Sequence, residues 1–242
     1  MSLELIVGEG GRSVFLGEIS SGVVALFMLI LAILLTRHYV LKHRTYTFWW
    51  AVSFWLAFIA AMTDFVSYLL QGWSLFQYRS YLFSAATLVA YMGAGTVYLF
   101  SKKIGRVYVV LMSIIALSMV YTLSITPIQL INNMPAGETA QGFVPKEIGI
   151  YFALLSGIGA MALFLGALYS WYRSRLSFNL WIALGALVFS AGGAVGKYLG
   201  IYELFYIFQA IGSIILYHGI VSSFGNHISK QQQGSNLTEN NL

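Results

Sequence analysis

The sequence predicts an all-α integral membrane protein, a bundle of seven transmembrane helices. Composition is the first reason, because 59% of the 242 residues are hydrophobic and only 9% are charged, whereas soluble domains carry about 25% charged residues. The second reason is that seven apolar runs can be distinguished, each as long as the roughly 20 residues that a helix needs to cross a bilayer. A membrane β-barrel is not indicated, because its strands are shorter and alternate in hydrophobicity.

The seven runs cover residues 20–41, 46–71, 76–100, 105–126, 147–172, 178–199 and 201–224. Only the short stretch from Gly196 to Gly200 separates the last two, so the turn between them must be tight. One fused helix would be far longer than a span requires, and seven helices are therefore predicted rather than six. An extracytoplasmic segment is expected over residues 1–19, the transmembrane domain over 20–224, and a disordered, polar cytoplasmic tail over 225–242.

Basic residues gather on one predicted side of the membrane. The loops after the first, third and fifth runs, together with the tail, hold Arg37, Lys42, Arg44, Lys102, Lys103, Arg106, Arg173, Arg175 and Lys230, and the other side holds only Arg12, Arg79, Lys146 and Lys197. Because cytoplasmic loops carry an excess of Lys and Arg, the N-terminus is predicted outside and the C-terminus in the cytoplasm of a cell (inner or plasma) membrane. This topology, and not a nucleic-acid partner, explains the net charge of +5.

The residues that support most enzyme chemistries are missing or misplaced. The chain has no cysteine, which excludes disulfides and thiolate metal sites. Zinc-site spacings and paired catalytic carboxylates are not found in the sequence. A Ser-His-Asp site would have to join Asp64, the only aspartate, to a histidine, but Asp64 lies in a predicted outer half and the histidines are predicted on the inner side. A non-enzymatic protein without a cofactor is therefore expected.

Asp64 is the most informative single position. It lies in the second run, about 10 Å of helical rise from the outer end, on a stripe of small and polar residues that should face the bundle interior. A carboxylate inside the membrane is costly unless it is paired or wetted. An outward polar cluster is predicted around it, with Tyr68, Tyr78, Arg79, Tyr81, Lys197, Tyr198, Tyr202, Glu203 and Tyr206. The cluster is interpreted either as a site for a small ligand, ion or proton, or as a structural ion pair of Asp64 with Arg79 or Lys197.

Two histidines suggest an alternative function, the binding of a haem. His38 in the first run and His218 in the last are predicted at similar depth, and on neighbouring helices they would ligate one haem b. The protein would then be an electron-transfer subunit linked to haem or quinone. In the competing interpretation His38 belongs to the interfacial basic belt and His218 hydrogen-bonds within the bundle. A further alternative is a small proton-coupled transporter using Asp64, although the runs lack helix-breaking prolines.

Glycine pairs recur in the third, fifth and sixth runs: Gly93 and Gly95, Gly157 and Gly159, and Gly192 and Gly196. None follows a strand, so a phosphate-binding loop is not indicated. Small residues at such spacing let membrane helices approach closely. They are predicted to serve helix packing.

Three stretches are similar to a group of uncharacterised prokaryotic multi-pass membrane proteins: residues 81–99, with Gly93-Ala94-Gly95-Thr96-Val97-Tyr98-Leu99, residues 166–170 and residues 185–193. The resemblance implies a prokaryotic inner membrane and supplies no activity. Seven helices with the N-terminus outside also invite comparison with microbial rhodopsins, but the last run has no lysine to bind retinal. The seven-helix input domains of some sensor kinases are a looser analogy. The expected function is ligand sensing, or that of an accessory subunit, with the bilayer, other membrane subunits or a small ligand as partners.

Overall fold

The computed structural model describes residues 3–70, 72–128 and 145–174, and beyond them residues 180–182, 184–189, 191, 204 and 207–222. These residues form five long helices, α1 (Leu3–Lys42), α2 (Thr45–Leu69), α3 (Leu75–Phe100), α4 (Lys102–Ile125) and α5 (Lys146–Ser174). Two shorter helices follow, α6 (Leu180–Phe189) and α7 (Ile207–Ser222). Strands are absent from this described part of the chain, in agreement with the predicted all-α class.

Five of these helices are long and apolar enough to cross a membrane. Their candidate spans are Gly17–Lys42, Thr45–Leu69, Leu75–Phe100, Lys102–Ile125 and Lys146–Gly166. Each matches or exceeds the roughly 20 residues that the hydrocarbon core requires. The structure thus supports a multi-pass membrane protein, while the number of seven crossings and the side on which each terminus lies stay predictions.

The helix ends follow local sequence signals rather than the limits of the apolar runs. At the start of α3, Ser74 and Gln77 form a capping box, the pattern in which each side chain satisfies a backbone N–H of the other residue. At the start of α4, the Ser101 hydroxyl accepts a hydrogen bond from the Ile104 N–H at 3.4 Å. The helix therefore begins at Lys102, earlier than the predicted residue 105.

The first helix corrects the predicted boundary at residue 20. It already begins at Leu3, so most of the segment expected before the first span is helical. The hydrogen bonds of a helix are local, and a helix can continue beyond the stretch that is apolar enough for the membrane. Hydropathy therefore locates the span, which begins at Gly17, and does not locate the helix start.

Neighbouring long helices run antiparallel. From α1 to α2, Thr36 contacts Trp55 while Gly17 lies against Tyr68. Contacts between α2 and α3 also descend along one helix as they ascend along the other: Ser53 with Leu88 and Trp50 with Met92. The same holds between α3 and α4, where Arg79 bonds Thr126 and Tyr98 lies against Gly105. The helices therefore form consecutive up-and-down hairpins.

Helix α5 runs parallel to α3. Gly159 lies against Val89, Gly166 against Thr96, and the rings of Phe100 and Tyr169 meet with centroids 5.0 Å apart. The pair α6 and α7 is again antiparallel, because Gly219 lies against Ile182, Leu216 against Gly185 and Gly212 against Phe189. Helix α7 also reaches α1, where the Phe27 and Tyr217 rings lie edge to face at 5.4 Å.

The alternating helix directions bring a set of basic side chains to one end of the bundle. They belong to the first two loops that are predicted to be cytoplasmic. The end of α1, the start of α2 and the junction of α3 with α4 lie at one end of the bundle, and there Arg37, Lys42, Arg44, Lys102, Lys103 and Arg106 are all exposed. We call this the basic end. The other end, near Gly17, Gly72 and Thr126, is called the opposite end.

Helix α3 occupies the centre of the bundle, since it packs against α2, α4 and α5. Close approach to α5 depends on glycine: a Cβ at Gly159 would lie 2.5 Å from the carbonyl carbon and oxygen of Val89. On the α2 side, Gly95 leaves room for the Trp50 indole, which donates to the Met92 carbonyl at 3.2 Å. The predicted packing role is confirmed at Gly95 and Gly159. It is wrong for Gly157, where a Cβ would meet nothing within 4 Å, and Gly192 and Gly196 lie outside the described residues.

Candidate functional site

Asp64 lies on a buried stripe of α2, as the sequence predicts. The other members of that stripe within the described residues are also buried: Ser53, Ala57, Ala60, Ala61, Ser67 and Tyr68. Asp64 itself is only 7% exposed. Its backbone carbonyl accepts a hydrogen bond of 2.6 Å from the Ser67 hydroxyl. The carboxyl group therefore faces the bundle interior near the opposite end, where an uncompensated charge is expensive.

Tyrosines of α3 surround the same level of the bundle. The antiparallel register set by Ser53 and Leu88 brings Asp64 opposite the first turns of α3, which hold Tyr78 and Tyr81. Both tyrosines are buried, and the Trp73 ring lies against them at centroid distances of 5.9 and 5.4 Å. Asp64, Tyr68, Tyr78 and Tyr81 of the predicted polar cluster are thus all buried toward the opposite end, with the Tyr68 ring against Gly17 of α1.

Arg79 does not belong to this group. Its Nη2 donates to the Thr126 carbonyl at the end of α4, at 3.3 Å, and its Nε is buried without a hydrogen-bond partner among the described residues. It therefore faces α4, whereas Asp64 faces the interior from α2. The ion pair of Asp64 with Arg79, one of the two predicted pairings, is not formed. The remaining members of the predicted cluster, Lys197, Tyr198, Tyr202, Glu203 and Tyr206, lie outside the described residues.

His38 and His218 lie on two helices that contact each other. Phe27 of α1 meets Tyr217 of α7, with ring centroids 5.4 Å apart. His218 is exposed, and its ring lies edge to face with Trp181 at 5.4 Å. The ligation of one haem by this pair stays a prediction.

An apolar cavity lies in the middle of the bundle, at a place that the sequence did not indicate. Its volume is about 280 Å³. Thirteen of the described residues line it, and all of these are Ala, Val, Leu, Met or Phe: Met28, Ala57, Leu88, Val89, Met92, Ala160, Met161, Leu163, Phe164, Ala186, Leu187, Phe189 and Leu216. They come from α1, α2, α3, α5, α6 and α7. We call this space the central cavity.

The central cavity reaches from the core to the surface of the bundle. At its deep end Met28 is 1% and Leu216 2% exposed, whereas Met161 and Leu187 are 65% and 48% exposed. The opening therefore lies between α5 and α6. In a membrane this surface faces the acyl chains, so the opening connects the cavity to lipid and not to water.

A smaller cavity continues toward the basic end. It has a volume of about 40 Å³ and shares Met92, Leu163 and Leu216 with the central cavity. Its other lining residues include Thr96 and Leu99, which lie further along α3. The two cavities share this wall, and we call their combined lining, which extends from mid-bundle toward the basic end, the apolar passage.

No group of three or more His, Cys, Asp or Glu side chains that could hold a metal ion occurs among the residues that the structure describes. Two other features of the described residues are candidate binding sites: the buried group around Asp64 and the apolar passage of the two cavities. Of these, sequence reasoning found the first, through the polar stripe on α2. A void between six helices leaves no periodic signal, because it depends on how the helices are placed.

Comparison with known proteins adds no relative, since no protein-family model, curated protein or solved structure matches this chain.

Proposed function

We propose that this protein is a non-enzymatic seven-helix membrane protein that binds a ligand inside its bundle, as a sensor or as an accessory subunit of a membrane complex. The observation that carries the proposal is the central cavity. A ligand there would contact six helices at once, so its presence would bias how those helices pack. Ligand sites are commonly concave, mostly apolar and located between the helices of a bundle.

The proposal includes the finer topology, with the N-terminus outside, the C-terminus in the cytoplasm, and α6 and α7 as the sixth and seventh crossings of a cell (inner or plasma) membrane. It is supported by the alternating directions of the described helices and by the exposed cations at the basic end, because cytoplasmic loops are rich in Lys and Arg. The antiparallel contacts of α6 with α7 fit two further crossings.

The topology is tested by single cysteines, which report without background because the chain contains no cysteine. Lys103→Cys probes the basic end, and Gly72→Cys, where a Cβ meets nothing within 4 Å, probes the opposite end. In intact cells a membrane-impermeant maleimide should label the Gly72→Cys variant, and it should label Lys103→Cys only after lysis. Labelling of Lys103→Cys in intact cells would reverse the orientation.

Ligand binding is tested by filling the cavity. Ala57→Leu adds a side chain to its α2 wall, and Ala153→Leu, on the exposed face of α5, makes the same change outside it. Native mass spectrometry of protein taken from its own membrane should show a bound adduct in the wild type and in Ala153→Leu, and little in Ala57→Leu.

A different result of the same measurements would show that no ligand fills the cavity. In that case no variant carries an adduct, and Ala57→Leu unfolds at a higher temperature than the wild type, since filling an empty cavity is a common route to added stability. That result would overturn the proposal.

A further inference from the structure

We infer that the occupant of the central cavity is an acyl chain of a membrane phospholipid, which enters between α5 and α6 and whose headgroup lies at the basic end. This inference rests on the proposed function and names the ligand class for the same site. Its basis is the chemistry of the lining, the place of the opening, the length of the passage and the charge at its end.

The lining favours a hydrocarbon. All thirteen lining residues that the structure describes are apolar, and a polar group placed among them would lose its hydrogen bonds to water without replacement. Three of the chain's eight methionines, Met28, Met92 and Met161, contribute to this wall. Methionine is flexible and polarizable, which suits a wall that adapts to a chain of variable shape.

The opening favours a ligand that comes from the bilayer. Three residues that line the cavity are also exposed on the outside of the bundle: Met161, Phe164 and Leu187. A ligand that dissolves in lipid reaches them without crossing water. A water-soluble ligand would have to cross the hydrocarbon first, against the same desolvation cost.

The length of the passage matches one leaflet. Along α3 it extends from Leu88 in the central cavity to Leu99 in the smaller one. This distance of eleven residues corresponds to about 16 Å of helix, about half of the ~30 Å hydrocarbon core. An acyl chain that begins at the membrane surface also spans one leaflet.

The charge at the end of the passage complements a phosphate. Leu99 is 43% exposed, so the smaller cavity reaches the surface there, and Lys102 and Lys103 follow at the start of α4. Both lysines are exposed. Basic residues at this level of a membrane attract anionic headgroups, which an isoprenoid quinone does not have.

The test is photo-crosslinking in lipid nanodiscs. A phosphatidylglycerol that carries a diazirine near the end of one acyl chain is added in trace amounts, the sample is irradiated, and the adducts are mapped by peptide mass spectrometry. Met161 is exposed and should be labelled by bulk lipid in every sample. Met28 is only 1% exposed, so an adduct there requires a chain inside the cavity, and we expect one.

Two variants in α5 make the test specific. Ala160→Leu obstructs the central cavity, and Ala153→Leu places the same side chain two helical turns away on the exposed surface. We expect the first to reduce the Met28 adduct roughly tenfold, equivalent to about 1.4 kcal/mol, and the second to leave it unchanged. If Ala160→Leu fails to fold, Leu187→Trp narrows the opening from the lipid side, and the same fall is expected.

The contribution of the headgroup is measured separately. Replacing Lys102 and Lys103 together by Gln should lower the Met28 adduct severalfold with phosphatidylglycerol, because the attraction to an anionic lipid is lost. Met161 labelling provides the internal reference.

Labelling of Met161 without Met28 in the wild type would overturn the inference, as would an unchanged Met28 adduct in both Ala160→Leu and Leu187→Trp. A photoreactive isoprenoid quinone tested in parallel separates the two proposals. If it labels Met28 and the phospholipid does not, the acyl chain is wrong while a ligand in the cavity stands. If neither labels Met28 and Ala57→Leu is stabilising, both proposals fail.

Discussion

The contact between α3 and α5 permits a sharp test, because two glycines lie two residues apart in α5 and only one of them packs against another helix. A Cβ at Gly159 would lie 2.5 Å from the carbonyl group of Val89, whereas a Cβ at Gly157 meets nothing within 4 Å. Ordinary contact begins at 3.4 Å, so Gly159→Ala requires the two helices to separate by about 1 Å. Moving packed backbone in this way typically costs about 1–3 kcal/mol.

The two alanine variants share the gain in helix propensity, which is about 1 kcal/mol. The difference between their unfolding free energies therefore isolates the steric term, and Gly159→Ala should be less stable than Gly157→Ala by about 1–3 kcal/mol. Relative to the wild type, Gly157→Ala should be equal or more stable.

The free energies are measured by titrating protein in mixed micelles with sodium dodecyl sulfate and following helix content by circular dichroism. Equal stability of the two variants, or a more stable Gly159→Ala, would refute the close approach of α5 to the α3 backbone.

Three further perturbations follow from individual contacts. In a double-mutant cycle, Asp64→Asn and Arg79→Gln should be additive in unfolding free energy within about 0.5 kcal/mol, because Arg79 bonds the end of α4; a larger coupling energy would contradict this placement. Ser53→Ala removes a 2.6 Å hydrogen bond to an α3 carbonyl and should cost about 0.6–1.7 kcal/mol, while Ser124→Ala, which bonds only its own helix, should cost less; equal losses would show that the interhelical bond contributes nothing. His43 has a φ of 47°, so His43→Gly should raise the thermal midpoint by relieving a left-handed conformation worth about 1 kcal/mol, and a lowered midpoint would show that its side chain stabilises more than the strain costs.

The features that the sequence predicted well are local ones. The helix spans follow from uninterrupted apolar runs, and the burial of Asp64 follows from its position on a stripe with Ala57 and Ser67. Both depend only on the period of one helix. The five long helices and the burial of Asp64 agree with the predictions apart from the helix ends.

The features that the sequence missed depend on how one helix is rotated against another. Arg79 lies one residue after Tyr78, and a rotation of about 100° per residue is enough to turn it from the interior of the bundle toward α4. The central cavity requires the placement of six helices, and no property of a single run contains that information.

A sensor needs an element that moves when the ligand leaves, and the packing indicates α6. Helix α5 is held to α3 by the backbone contact at Gly159, whereas the opening of the central cavity separates α5 from α6. Emptying or filling that space should therefore displace α6 and leave the α3–α5 contact unchanged.

Spin labels on exposed positions can measure this displacement. Leu165→Cys on α5 is paired with Leu184→Cys on α6, and with Phe100→Cys on α3 as the matched control; all three residues are exposed, and none of them lines either cavity. Comparing lipid-depleted with lipid-loaded protein, dipolar broadening should change for the α5–α6 pair only. An equal change in both pairs would mean that α5 moves as well, and no change in either would mean that the bundle packs alike with and without its occupant, so that the cavity transmits no signal.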